Sequence, residues 1–238
     1  MGGPVERFAR AVILHPPARW LEERRQTGAD CWDEVWEGVL HIVPPPTSWH
    51  QRFGTKLAIA LAPLAESKGL EASYETGLYR PGTGENDYRV PDLVFAHSEH
   101  ISPGGVEGVA ELVVELLSDD DESRAKLSFY AEVGVREVLL IDPDTRDLEL
   151  YSLRGDRFFA VQPDDRGRLR STSLGVSFAK IEGPRLALTW ADGAAEILKA
   201  SHDSGLHGSL HASALSARIG GVSTALVVDM REPEEHAR

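Results

Sequence analysis

Residues 89–95 read Arg89-Val90-Pro91-Asp92-Leu93-Val94-Phe95, and residues 111–117 read Glu111-Leu112-Val113-Val114-Glu115-Leu116-Leu117. Both are short aliphatic runs of the kind that form buried strands, which predicts strands at about 89–96 and 111–117. Each run carries a carboxylate inside it. An ionised acid in an apolar strand is costly unless something pairs with it, and a divalent cation is one such partner. Side chains alternate along a strand. Asp92 and Val94 therefore share one face, with Leu93 and Phe95 on the other. On the second run Glu111, Val113, Glu115 and Leu117 share a face, with Leu112, Val114 and Leu116 opposite. Asp92 and Glu115 can then point from two strands towards a common site as metal ligands. Spacing alone leaves equally open that they are two solvent-facing acids at strand ends.

Working outward from these runs, residues 18–28 form an amphipathic pattern that predicts a short helix with Trp20 and Leu21 inward. Trp32 to Trp36 alternates with period two, Glu37-Gly38 is a turn signal, and Val39 to Val43 alternates again, which predicts a hairpin. Pro44-Pro45-Pro46 stops it. Thr47 or Ser48 caps a helix running to about Ser67, with Phe53, Leu57, Leu61 and Leu64 on one face and a kink or break expected at Pro63. Further along, a strand is expected over Tyr74–Tyr79, a loop at Pro81–Gly84 and a helix over Glu122–Glu132 closed by Gly134. A buried strand follows at Arg136–Ile141, then a hairpin of Leu148–Leu153 with Arg157–Val161, then a strand pair within 172–189. This order predicts an α/β (α+β) domain, a central mixed sheet flanked by helices with an N-terminal hairpin. Residues 1–14 read as a flexible extension, 15–198 as the domain, and 199–238 as a disordered tail rich in Ser, Gly, Ala and His. In that tail the apolar run Thr224–Val228 has no evident strand partner, and His202, His207 and His211 read as parts of a polar segment rather than as a metal site.

The 238-residue chain has a formal net charge of −13 and a single cysteine, Cys31. One cysteine excludes an intramolecular disulfide and a cysteine metal cage. No apolar run approaches the roughly 18–20 residues that cross a bilayer, and Met1 to Arg10 lacks the layout of a signal peptide. A cytoplasmic protein with no membrane contact is the simplest expectation. The negative charge argues against tight non-specific binding to phosphates, although a metal site would add local positive charge.

Other side chains could serve the same chemistry. Lys126, on the helix expected after Glu115, could hold a water or stabilise charge on a phosphate, or simply face solvent. Glu34 in the first hairpin could supply a third carboxylate, or be a surface strand residue. His50, at a helix start, could donate to a phosphate, or only hydrogen-bond locally. The acidic run Ser118 to Glu122 lacks the spacing and central glycine of a calcium loop and reads as acids favoured at a helix N-terminus.

Taken in order, several motifs resemble the Uma-two family of bacterial restriction endonucleases, within the PD-(D/E)XK nuclease superfamily. They are Asp33-Glu34-Val35-Trp36-Glu37-Gly38-Val39-Leu40; Pro44-Pro45-Pro46 with His50-Gln51-Arg52; Arg89-Val90-Pro91-Asp92-Leu93-Val94; Val106-Glu107-Gly108 with Glu111 to Ser118; Lys126 with Tyr130-Ala131 and Gly134-Val135-Arg136-Glu137; and Asp142-Pro143. The resemblance spans roughly residues 15–190. It implies a restriction-endonuclease-like fold and a Mg²⁺-dependent endonuclease, with Mn²⁺ as substitute, that hydrolyses DNA through a metal-activated water. It implies Glu34, Asp92, Glu115 and Lys126 as catalytic residues, with the metal on Asp92 and Glu115. His50 and Arg52 become substrate-binding candidates, DNA the partner, and a homodimer the assembly that reaches both strands. Two departures stand out. Leu117 occupies the position of the usual strand lysine, which moves that role to Lys126. Asp119 and Asp120 add acids beside the site. The alternatives are a nuclease-fold module that binds nucleic acid or protein with little or no turnover, and a metal-dependent phosphodiesterase with a non-DNA substrate.

Overall fold

Alternation along the two apolar runs sets the architecture. The structure, a computed structural model, describes residues 11–118, 122–142, 147–181, 185–190, 197–199 and 225–229. The elements are β1 (Ala11–Ile13), α1 (Ala18–Thr27), β2 (Glu34–Trp36), β3 (Val39–Ile42), α2 (Ser48–Glu66), β4 (Leu70–Tyr74), β5 (Leu78–Tyr79), β6 (Tyr88–Arg89), β7 (Leu93–His97), β8 (Ile101–Ser102), β9 (Gly105–Glu107), β10 (Leu112–Leu116), α3 (Leu127–Val133), β11 (Glu137–Ile141), β12 (Leu148–Arg154), β13 (Arg157–Ala160), β14 (Leu169–Arg170), β15 (Val176–Ile181), β16 (Arg185–Trp190), β17 (Ile197–Lys199) and β18 (Ala225–Asp229). The expected mixed α+β class is what the chain adopts.

The central sheet has the order β13-β12-β11-β10-β7-β4. It is mixed, since β10 runs parallel to β11 and antiparallel to β7. Leu93, Phe95, Leu112, Val114 and Leu116 face one layer, packed with Phe53, Leu57 and Leu61 of α2. Val94, Val113, Val138 and Leu140 face the other, packed with Phe129, Tyr130 and Val133 of α3. The period-two assignment of faces therefore holds, with Glu115 opposite Leu112, Val114 and Leu116. A second sheet, β1-β3-β2-β6-β5-β9-β8, carries the N-terminal hairpin. Its turn is made by Glu37 at φ 51 and Gly38 at φ 86, two left-handed residues that match the twist of a tight hairpin. A third sheet has the order β14-β15-β16-β18-β17.

Several expectations change. The strand expected over Tyr74–Tyr79 is divided between β4 and β5, which lie in different sheets. The break falls at Glu75, whose φ is 47, a conformation that takes a strand out of its plane. The strand expected at 89–96 is likewise divided: β6 joins the second sheet and β7 the central one. Pro91 lies between them and has no N–H to give to a ladder. The helix expected from Glu122 begins only at Leu127. Before it come turns such as Ala125 N–H to Glu122 O at 2.8 Å, so Lys126 is the helix N-cap and not a mid-helix residue. Pro63 does not end α2, which continues to Glu66. Proline forfeits one hydrogen bond, and here it does so within a turn of the helix end. Residues 11–13 of the expected N-terminal extension pair with β3, and the run read as partnerless at Thr224–Val228 overlaps β18, which pairs with β16 and β17. His202, His207 and His211 lie outside the described residues.

Candidate active site

Two sheets meet where β6 hands over to β7, and this junction gathers the acids. Glu34 comes from β2, Asp92 from the link before β7, Glu115 from the middle of β10, and Lys126 from the cap of α3. All four are buried; Glu34 is 1% exposed, Glu115 3% and Lys126 4%. Lys126 Nζ lies 2.7 Å from Glu34 Oε1 and 3.1 Å from Glu115 Oε1. Glu34 is fixed further by the Val90 N–H on Oε1 at 2.9 Å and the Trp36 indole N–H on Oε2 at 2.8 Å. The Tyr130 hydroxyl donates to Glu115 Oε1. The Leu116 N–H donates to Asp92 Oδ2 at 2.7 Å, which ties the acid of the link before β7 to the residue after the acid on β10.

The charges in this pocket do not balance, and the titration of the groups records it. Burial pushes the Glu115 carboxyl up to about 8, with Asp92 and Glu34 adding to the effect and Lys126 opposing it. Burial likewise raises Asp92, against the pull of His50, the Leu116 N–H and Lys126. For Glu34 burial is outweighed by the adjacent Lys126 and by its hydrogen bonds, so its carboxyl is held below the usual range. Burial alone would lower Lys126, but Glu115 and Glu34 together raise it. One ammonium thus serves two carboxylates, and an uncompensated buried carboxylate prefers to be neutral.

Asp92 also faces a second group. Among the described residues, His50, Glu75 and Asp92 offer ligand atoms that all lie within 4.8 Å of one another. Glu115 is not in that trio; its Oε1 is taken by Lys126 and Tyr130. His50 stands in the first turn of α2, where Thr47 caps the helix by accepting from its N–H at 3.2 Å. Its Nε2 is 3.2 Å from the Leu116 carbonyl and 3.4 Å from Asp92 Oδ1. Its Nδ1 is buried with no hydrogen-bond partner among the described residues. Glu75 Oε2 accepts from the Trp32 indole N–H at 2.9 Å, and Oε1 accepts from the Gln51 amide. Gln51 in turn accepts from the Tyr74 hydroxyl at 2.8 Å. The Glu75 N–H donates to the Asp92 carbonyl at 3.0 Å. The donor set fits a divalent cation: carboxylate oxygens, a carbonyl oxygen nearby and an imidazole.

The structure therefore brings together Glu34, Asp92, Glu115, Lys126 and His50. Arg52 is exposed on α2. Sequence reasoning gave no site role to Glu75, Trp32, Tyr130 or Gln51, although Tyr130 and Gln51 lie within the quoted motifs. The only signal for Glu75 was a lone acid between two apolar segments. The expected strand across it concealed the left-handed break that aims it inward.

A family model, Uma2, described as "Putative restriction endonuclease", matches residues 29–179. That span contains every site residue named above. A crystal structure of a putative nuclease belonging to DUF820 from Anabaena variabilis is similar, with a TM-score of 0.45 and 18% identity, over 56% of this chain and 78% of that one. No curated protein matches the chain.

Proposed function

Because the chain belongs to the Uma2 family of putative restriction endonucleases, we propose that it is a Mg²⁺-dependent endonuclease that hydrolyses DNA phosphodiester bonds. The observation that carries this reading is the convergence of Glu34, Asp92, Glu115 and Lys126, distant in sequence, into one buried cluster with an excess of negative charge. Asp92 and Glu115 would hold the cation. A divalent cation there supplies positive charge to the phosphate and lowers the pKa of a bound water. Asp92 is oriented for that task by the Leu116 N–H. Glu34 keeps Lys126 charged and in place, so that its ammonium faces Glu115 and can stabilise charge developing on the phosphate. Tyr130 fixes the rotamer of Glu115. The same reading carries DNA as substrate, a homodimer to act on both strands, and a cytoplasmic location. Among the described residues, no helix is long and apolar enough to cross a membrane.

A second reading, a nuclease-fold module that binds without turnover, draws on the enclosure of Lys126, whose Nζ is already held by two carboxylates. Incubation with supercoiled plasmid separates the two. The nuclease reading expects nicked and linear products with Mg²⁺ or Mn²⁺ and none with EDTA. Intact plasmid under both conditions supports the binding module. If RNA or a small phosphodiester is cleaved while plasmid stays intact, the substrate assignment is wrong and the phosphodiesterase alternative stands.

A further inference from the structure

We propose that His50, Glu75 and Asp92 form a second divalent-cation site beside the one assigned to Asp92 and Glu115, with Asp92 shared between them. The inference rests on the nuclease reading for the first cation and adds ligands that reading does not use.

The donor geometry comes first. The three side chains come from α2, from the break after β4 and from the link before β7, yet their ligand atoms lie within 4.8 Å of one another. A cation at ordinary metal–oxygen distances of about 2.0–2.6 Å can touch ligands spaced in this way. His50 presents its Nε2 to Asp92, 3.4 Å from Oδ1, and that nitrogen ligates a divalent cation in its neutral form. Its other ring nitrogen, Nδ1, is buried with no hydrogen-bond partner among the described residues.

The outer contacts of Glu75 are those of a metal ligand. Ligating carboxylates are themselves held by hydrogen bonds that leave lone pairs for the ion. Both oxygens of Glu75 accept such a bond, from Trp32 and Gln51, and Gln51 is held by Tyr74. Each oxygen keeps a further lone pair. The backbone is also committed: Glu75 sits at φ 47 and donates its N–H to the Asp92 carbonyl. Side chains other than glycine and asparagine rarely adopt that conformation, and such residues cluster at ligand sites.

Charge points the same way. With all groups ionised, Glu34, Glu75, Asp92 and Glu115 carry four negative charges against one on Lys126. A cation bound at the His50, Glu75 and Asp92 atoms offsets part of that excess. The mixed imidazole and carboxylate donors suit Mn²⁺ and later first-row ions better than Mg²⁺, which prefers oxygen alone.

Isothermal titration of the full chain with MnCl₂ tests the proposal, using Glu75→Gln and Glu115→Gln, which keep side-chain size and one acceptor oxygen while removing the negative charge. Two Mn²⁺ per chain in the wild type and one in each variant is the expected result. One Mn²⁺ in the wild type that weakens about tenfold or more in Glu75→Gln and persists in Glu115→Gln also supports the Glu75 site, and removes Glu115 from the nuclease reading. One Mn²⁺ that Glu75→Gln leaves unchanged overturns the second site and leaves the nuclease reading standing. No Mn²⁺ binding by the wild type overturns the second site outright.

Discussion

Lys126 is the cation paired with both Glu34 and Glu115, and removing it exposes the energetics most plainly. Breaking a buried pair from one side leaves charge uncompensated and costs about 3–5 kcal/mol. Lys126→Met should lose stability on that scale in urea unfolding, and adding Glu115→Gln should recover part of the loss. A change under about 1 kcal/mol would show that Lys126 is not a structural ion-pair partner. Glu115 gives a pH prediction. Its carboxyl is pushed up to about 8 from an ordinary 4.5. In the metal-free protein the folded chain keeps a proton that the unfolded chain has released between those values. This contribution to stability is full below 4.5 and falls as pH rises towards 8. A cation must displace that proton, so Mn²⁺ affinity should rise over the same window. Urea unfolding in EDTA and Mn²⁺ titration across the window check both trends, and Glu115→Gln should flatten them. Asp92 and Glu115 were legible in the sequence because acids interrupt apolar runs. Glu75 was not, because its role arises from a backbone turn and from Trp32, Gln51 and Tyr74, none of which is near it in a recognisable pattern.

Between α2 and β4 the packing is close enough to reach the site without touching a ligand. A Cβ at Gly54 would lie 2.7 Å from the Tyr74 hydroxyl oxygen and 2.8 Å from its ring. Tyr74 anchors Gln51, and Gln51 anchors Glu75. Gly54→Ala should therefore displace Tyr74 and weaken Mn²⁺ binding severalfold, even though alanine favours the helix by about 1 kcal/mol. Titration with unchanged affinity would break the proposed chain of contacts. Element types were largely readable: α2, the first hairpin, β10, β11 and the β12–β13 hairpin follow from period, turn and cap signals. What failed were continuity judgements. Tyr74–Tyr79 and 89–96 each look like one strand because apolar periodicity does not register a change of sheet. Glu122–Glu132 looks like one helix because acids and long side chains suit both a helix and the turns that deliver Lys126 to Glu34 and Glu115.

At the scale of the molecule, a net charge of −13 meets a polyanionic substrate. Phosphate contacts by lysine and arginine supply most non-specific affinity, and this chain has an excess of acids. Duplex DNA should bind weakly or not at all in EDTA at about 0.15 M salt, and Ca²⁺ or Mn²⁺ should restore binding by neutralising the acidic junction. A gel-shift titration with and without the ion reads this directly, and cation-independent binding would contradict it. The mixed sheet between two helical layers was legible from element order. The meeting of two sheets at Val90-Pro91-Asp92, which creates the site, depends on long-range pairing that no local pattern carries. The most direct measurement on the central claim is anomalous diffraction from crystals soaked in Mn²⁺. The account predicts a peak in contact with the Asp92 carboxylate. A fully occupied Mn²⁺ peak elsewhere, with none at Asp92, would contradict it.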